Sequence, residues 1–242
     1  MLRSSKLFSE TKTLLFVVNT PDFFLSHRLP LAVAAKKLGF DVHVATADGA
    51  AVKIILSKGF KHHIIPFTRR GQNPFREVVT LFCLVRIFCV IRPVLVHLVT
   101  IKPVIYGGIS ARLCSVDSVV SAVSGLGTIF LAVSIFARIR RDLVAFLYRA
   151  AFKHKRLIVV FQNSDDSNAL IGLNALRAEQ ARIIRGSGVV LSYFPYLAEP
   201  IGKPVVVMAT RLIRDKGVFE FVEAARLLHA RGVSVEMRLI GE

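Results

Sequence analysis

The pattern that most restricts this chain is an alternation of short apolar runs with helical patterns, sustained over most of its length. Residues 14–19, 41–46, 63–66, 94–98, 119–123 and 157–161 are apolar, rich in β-branched side chains, and each long enough for one strand. Thr20-Pro21-Asp22 breaks the first run, and the residues between runs follow helical spacing. Leu31, Ala32, Ala35 and Leu38 fall on one helical face ahead of Gly39, with Ser26 as the expected cap. Residues 52–57 and 74–90 form the next helices, the latter closed by Arg92-Pro93. Strand and helix in regular succession bury both strand faces only in a parallel sheet covered by helices, so the expected class is α/β and Rossmann-like.

Open sheets of this kind take ligands beyond the carboxyl ends of their strands. His27, His97, Lys102 and the Gly125-Leu126-Gly127 loop are expected at such exits. Glycine permits close backbone approach there, and its N–H groups can meet a phosphate or sugar oxygen. Either histidine reads equally well as a cap or a packed imidazole. No Gly-x-Gly-x-x-Gly follows the first strand, so no dinucleotide cofactor is expected, nor does any residue spacing indicate a metal.

A further apolar run, 204–209, reads as a buried parallel strand, and its exit carries Arg211, Arg214 and Lys216 directly before an amphipathic helix. Cations and open helix N–H groups converge there, which suits a diphosphate; the alternative is a solvated basic turn. One helix over Val218–Ala230 and a strand over 233–240 are expected to follow.

Of 242 residues, 53% are hydrophobic, yet the formal net charge is +17. Oily and basic together favour an anionic membrane surface as partner. Specific nucleic-acid binding ranks lower, because the basic residues are interleaved with apolar ones and no recognition motif accompanies them. Between 138 and 156, Leu143, Phe146, Leu147, Ala150 and Ala151 share one helical face, with Arg138, Arg141, Arg149, Lys153 and Arg156 around the other. Such a helix lies on anionic lipid or covers the sheet. Residues 119–137 carry no charge and so have the length of a membrane span, but their serines and glycines fit a strand turning through a loop into a helix. Cys83, Cys89 and Cys114 sit in apolar surroundings and read as packed thiols in a reducing compartment. The N-terminus has no secretory pattern, so a cytoplasmic chain at the inner membrane face is expected.

Five stretches make the pattern specific: 24–32 (Phe-Leu-Ser-His-Arg-Leu-Pro-Leu-Ala), His97 through Pro103 with Tyr106-Gly107-Gly108, Ser124-Gly125-Leu126-Gly127, 161–166 (Phe-Gln-Asn-Ser-Asp-Asp) and 185–189 (Arg-Gly-Ser-Gly-Val). In this order, ending in the Arg211/Lys216 turn, they resemble glycosyltransferase family 4, in the branch that builds bacterial surface polysaccharide on undecaprenyl diphosphate. The resemblance implies a GT-B fold, with an acceptor-side Rossmann-like domain over 1–199 and the start of a nucleotide-sugar domain over 200–242. It further implies retaining transfer from a UDP-sugar to an undecaprenyl-diphosphate-linked acceptor, with Arg211 and Lys216 holding the donor diphosphate and Arg214 assisting. Many relatives place a catalytic His after the strand matched by 119–123, where this sequence has Ser121 and Ser124. The family's two Glu separated by seven residues have no counterpart, so the catalytic residues stay unknown. A fragment that does not transfer sugar alone is expected. The alternative is a non-catalytic remnant that binds membrane or a partner.

Overall fold

A computed structural model describes residues 12–67, 73–126, 135–186 and 188–241, with the backbone alone for 135–140. The chain divides into two compact units, Met1–Gly188 and Val189–Glu242.

The first unit is built on strands β1 (Thr13–Val18), β2 (Asp41–Thr46), β3 (Lys61–Ile64), β4 (Leu95–Val99), β5 (Ser118–Val123), β6 (Leu157–Phe161) and β7 (Ala181–Ile183). All pair in parallel, in the order β3-β2-β1-β4-β5-β6-β7. Helices α1 (Pro21–His27), α2 (Leu29–Lys37), α3 (Val52–Ser57), α4 (Pro74–Ile91), α5 (Ile101–Leu113), α6 (Ile135–Phe152) and α7 (Ser164–Gly172) connect them. The fold is therefore α/β with a complete Rossmann-like sheet.

Strand periodicity sorts the core into two layers. Leu15, Val17, Val96 and Leu98 face α4, α5 and α6, packing with Leu84, Phe88, Val104 and Tyr148. Leu14, Phe16 and Val18 face the other way, packing with Phe24, Ala32 and Ile55 of α1, α2 and α3. Right-handed crossovers explain the division: strands added in one direction from β1 carry their helices on one face, and those added in the other direction on the opposite face. Helices α1–α3 thus cover β1 and β2. Beside them, over β4, β5 and β6, that same face forms a groove of about 740 Å³ floored by Leu95, His97, Val120, Ala122 and Val160.

Several expectations change. The segment after β1 is two helices, not one; Thr20 caps α1, accepting from Phe23 N at 3.3 Å with Pro21 opening the helix. Ser26 lies inside α1 and donates to Asp22 O at 2.9 Å, so it is no cap. The chain re-enters a helix at Leu29 because Pro30 fits a first turn. Leu31 and Leu38 do not pack under α2: they are 50% and 79% exposed, at the groove's rim. Strand β3 begins earlier and ends at Ile64, since Pro66 has no N–H for the ladder. Among the described residues no helix is long and apolar enough to cross a membrane. The uncharged run supplies β5 and the start of its exit loop, and residues 127–134 lie outside the described residues.

The second unit holds β8 (Val205–Ala209), α8 (Val218–Ala230) and β9 (Glu236–Ile240), one parallel βαβ unit. The strand read as buried is not: Val205, Val206 and Val207 are 44–50% exposed. Two strands and one helix are too few to enclose each other's apolar faces.

Candidate functional site

Strand order reverses between β1 and β4, and that switch point forms the first part of the site. Val18 pairs with Val99, so the next residues, Asn19 and Thr100, stand side by side beyond the strand ends. Asn19 Oδ1 and Thr100 Oγ1 are buried with no hydrogen-bond partner among the described residues. Thr100 also has φ +75°, a left-handed conformation that strains a β-branched residue by about 1–3 kcal/mol. A strained residue and two buried oxygens without a partner among the described residues thus coincide at one strand end.

His27 closes α1, its ring stacked on Phe23 at 4.1 Å and its Nδ1 2.6 Å from Ser26 Oγ. When the Ser26 proton goes to Asp22, Nδ1 is the donor and Nε2 is left as an acceptor. Arg28 follows at the α1–α2 corner, and burial lowers its pKa. His27, Arg28, Ser124 and Gln162 line the polar end of the groove.

His97 was expected at a strand exit but occupies the middle of β4. It is 8% exposed, edge-on to Phe16 at 5.3 Å, with Nε2 unpartnered among the described residues. Burial, aided by Arg28, lowers its pKa to about 3, so the ring is neutral at physiological pH. Its place is the groove floor, and it is too deep to act as a surface acid or base.

Lys102, in the first turn of α5, bonds Glu77 of α4 at 2.6 Å, with the two side chains 23% and 18% exposed. Tyr106 also hydrogen-bonds Glu77, and burial together with that carboxylate pushes its pKa well up. The charge expected to meet a ligand is thus already countered by Glu77. Gly125 adopts φ +142°, and, its chain neighbours aside, none of the described residues comes within 4 Å of where a Cβ would stand. Leu126 N donates to Asp166 Oδ1 at 3.4 Å, tying the loop to the α7 N-terminus, where Asn163 and Asp166 bond reciprocally. Gly127 lies outside the described residues, as does the side chain of Arg138.

On α6 the buried face is Ala145, Tyr148, Ala151 and Phe152, whereas Leu143 and Phe146 are 58% and 61% exposed. The expected apolar face was set one helical step away because alanines at 145, 150 and 151 give little contrast. Arg149 donates to Leu173 O at 3.0 and 2.6 Å, capping α7, and Arg141 pairs with Asp142 at 3.3 Å. Lys153 is exposed beyond the α6 end, and Arg156 lies in the loop before β6.

In the second unit Arg214 and Lys216 form a single 3-10 turn, and Gly217, at φ +79°, opens α8 without a side-chain cap. Arg211 precedes this turn, and among the described residues no carboxylate pairs with any of the three cations. Arg214 lies 6.0 Å from the Phe219 ring centroid. Among the described residues no three His, Cys, Asp or Glu side chains are grouped to hold a metal ion.

Asn19, Arg28, Thr100 and Gln162 were missed as site residues. The Arg-Leu-Pro at 28–30, a helix break beside a cation, was the available signal for Arg28. Thr100 had none, since its oxygen and φ matter only once β1 and β4 are neighbours.

A model of the family described as "Glycosyl transferase 4-like" matches residues 13–163. The chain is 24% identical over 226 residues to the Campylobacter jejuni N,N'-diacetylbacillosaminyl-diphospho-undecaprenol alpha-1,3-N-acetylgalactosaminyltransferase, covering 85% of this chain and 60% of that protein. Among solved structures, sucrose-phosphate synthase from Thermosynechococcus elongatus superposes with TM-score 0.67 at 13% identity, over 96% of this chain and 70% of that one. Anabaena Alr3699/HepE, solved with UDP and glucose, gives 0.64 at 14% identity, over 95% and 69%. At these identities the likeness is one of fold.

Proposed function

This chain belongs to the glycosyl transferase 4-like family, and from that premise we propose that it serves sugar transfer from a nucleotide diphosphate sugar to a lipid-linked acceptor. The observation that carries the reading is a family match over residues 13–163, which spans β1 to β6, in a chain that also presents a basic turn before α8 with no carboxylate partner among the described residues. Arg211 and Lys216 hold the donor diphosphate, with Arg214 beside them, as guanidinium and ammonium groups at a helix N-terminus stabilise a leaving diphosphate. A UDP-sugar is the favoured donor, supported by the ligand of Anabaena HepE. An undecaprenyl-diphosphate-linked acceptor is supported by the Campylobacter relative. Asn19, Thr100, His27 and the Gly125 loop then hold the acceptor, and transfer proceeds by positioning and charge stabilisation with retention at the anomeric carbon.

A peripheral place on anionic membrane follows from charge and surface together. On α4, Phe75 and Phe82 are 83% and 68% exposed, with Val78 and Val79 exposed between them. The helix's one acidic residue, Glu77, is turned to Lys102, so Arg76 and Arg86 are the charges beside that apolar stripe. Apolar side chains flanked by arginine suit the headgroup region of an anionic bilayer.

The test is transfer of labelled sugar from a panel of UDP-sugars to undecaprenyl-diphosphate-linked acceptors, with this chain in anionic vesicles. Lipid-linked product supports the reading. Vesicle-bound chain without product favours a second one, a membrane-binding domain that does not transfer, to which the exposed apolar stripe of α4 lends support.

A further inference from the structure

A thiol pair on the back of the first unit suggests chemistry independent of sugar transfer. The last turn of α4 meets the end of α5, where Cys114 is the C-cap. Cys89 and Cys114, 25 residues apart in sequence, are both free thiols with their sulfurs 3.1 Å apart. Cys114 donates its S–H to Val85 O at 3.5 Å, which leaves a sulfur lone pair for Cys89. Cys89 is exposed, Cys114 is half-buried, and a cavity of about 360 Å³ is lined by both. Cys83, on the same helix, packs with the core. The sulfurs stand about 1 Å beyond the covalent S–S length of about 2.05 Å.

We propose that Cys89 and Cys114 are an oxidisable pair that a hydroperoxide converts to a disulfide fastening α4 to α5. The Cys89 sulfur attacks a peroxide oxygen; the O–O bond breaks, and with hydrogen peroxide one water leaves as Cys89 becomes a sulfenic acid. The Cys114 sulfur then attacks the Cys89 sulfur, the S–O bond breaks, and the Cys114 proton departs with the hydroxide as a second water. Two thiols are oxidised by two electrons, and one peroxide is reduced to two waters. Cys89 reacts first because it is the exposed sulfur, while burial and the Cys89 contact push the Cys114 thiol up to about 12.

The purified full chain, which has 3 cysteines, is treated with hydrogen peroxide, denatured, alkylated and mapped by mass spectrometry. The expected result is a single alkylated residue, Cys83, and a Cys89–Cys114 linked peptide lighter by two hydrogens; dithiothreitol restores all three. Cys83→Ala keeps the link and Cys89→Ser, at an exposed site, abolishes it. Three alkylatable thiols after treatment, sulfinic acid at Cys89 without a link, or a link only between two chains would each overturn the proposal.

Discussion

Lowering the pH isolates His97. Its imidazole lies on the groove floor, 8% exposed and edge-on to Phe16, and its pKa falls from 6.5 to about 3, chiefly by burial and next by Arg28. In the unfolded chain the ring takes up a proton near its ordinary value. Between these two values the unfolded state binds more protons, so stability is lost as pH falls through the unfolded pKa and levels off below the folded one. From about pH 7.5 to about pH 5 this single group removes roughly 2 kcal/mol. His63, held near 4 by burial and by His43, pushes the same way, so the whole chain is expected to show a steeper fall than His97 alone explains. Subtraction isolates the group: His97→Gln keeps a polar side chain that does not titrate in this range. Urea unfolding of both proteins at the two pH values is expected to give a loss smaller by about 2 kcal/mol in the variant. Equal losses would refute the claim that a buried, neutral His97 couples folding to pH.

Two neighbouring glycines of α5 separate backbone from side-chain contact. A Cβ on Gly108 would lie 2.9 Å from the Ala151 carbonyl oxygen and 3.1 Å from its Cα, whereas the nearest atoms to one on Gly107 all belong to the side chain of Leu98. Gly108→Ala is therefore expected to destabilise by about 1–3 kcal/mol, and Gly107→Ala to come close to neutral, as better helix propensity offsets a rotamer shift; denaturation midpoints decide. Phe75→Asp with Phe82→Asp should reduce sedimentation with anionic vesicles severalfold without changing the melting temperature. Unchanged sedimentation would remove α4 from the membrane face.

The sheet was legible because parallel strands covered on both faces must be apolar throughout. The runs at 41–46 and 157–161 became β2 and β6 at the expected bounds, and those at 14–19 and 94–98 became β1 and β4 shifted by one residue. Strand β7, only Ala181–Ile183 with two exposed residues, carries no such run and was invisible. Helix α7 carries an N-terminal signature in Asn163 and the acidic Asp165 and Asp166, but it directly follows β6, where the pattern marks only a strand exit. The places of Gly125 after β5 and of Arg211 after β8 were legible because they depend on local order. The site was not legible where it depends on the partner across the sheet. Glu77 reaches Lys102 only because α4 and α5 lie side by side, and His97 is buried only because Phe16 stands on the neighbouring strand. The face of α6 turned inward is likewise a tertiary choice, made by Tyr148.

Calorimetric titration of UDP into the full chain and into Arg211→Ala and Lys216→Ala tests the proposed donor site most directly. The account predicts saturable binding that each substitution weakens by roughly 1 to 3 kcal/mol, about 5- to 150-fold, with Arg214→Ala milder. Absence of UDP binding, or equal affinity in both variants and the parent chain, would contradict it.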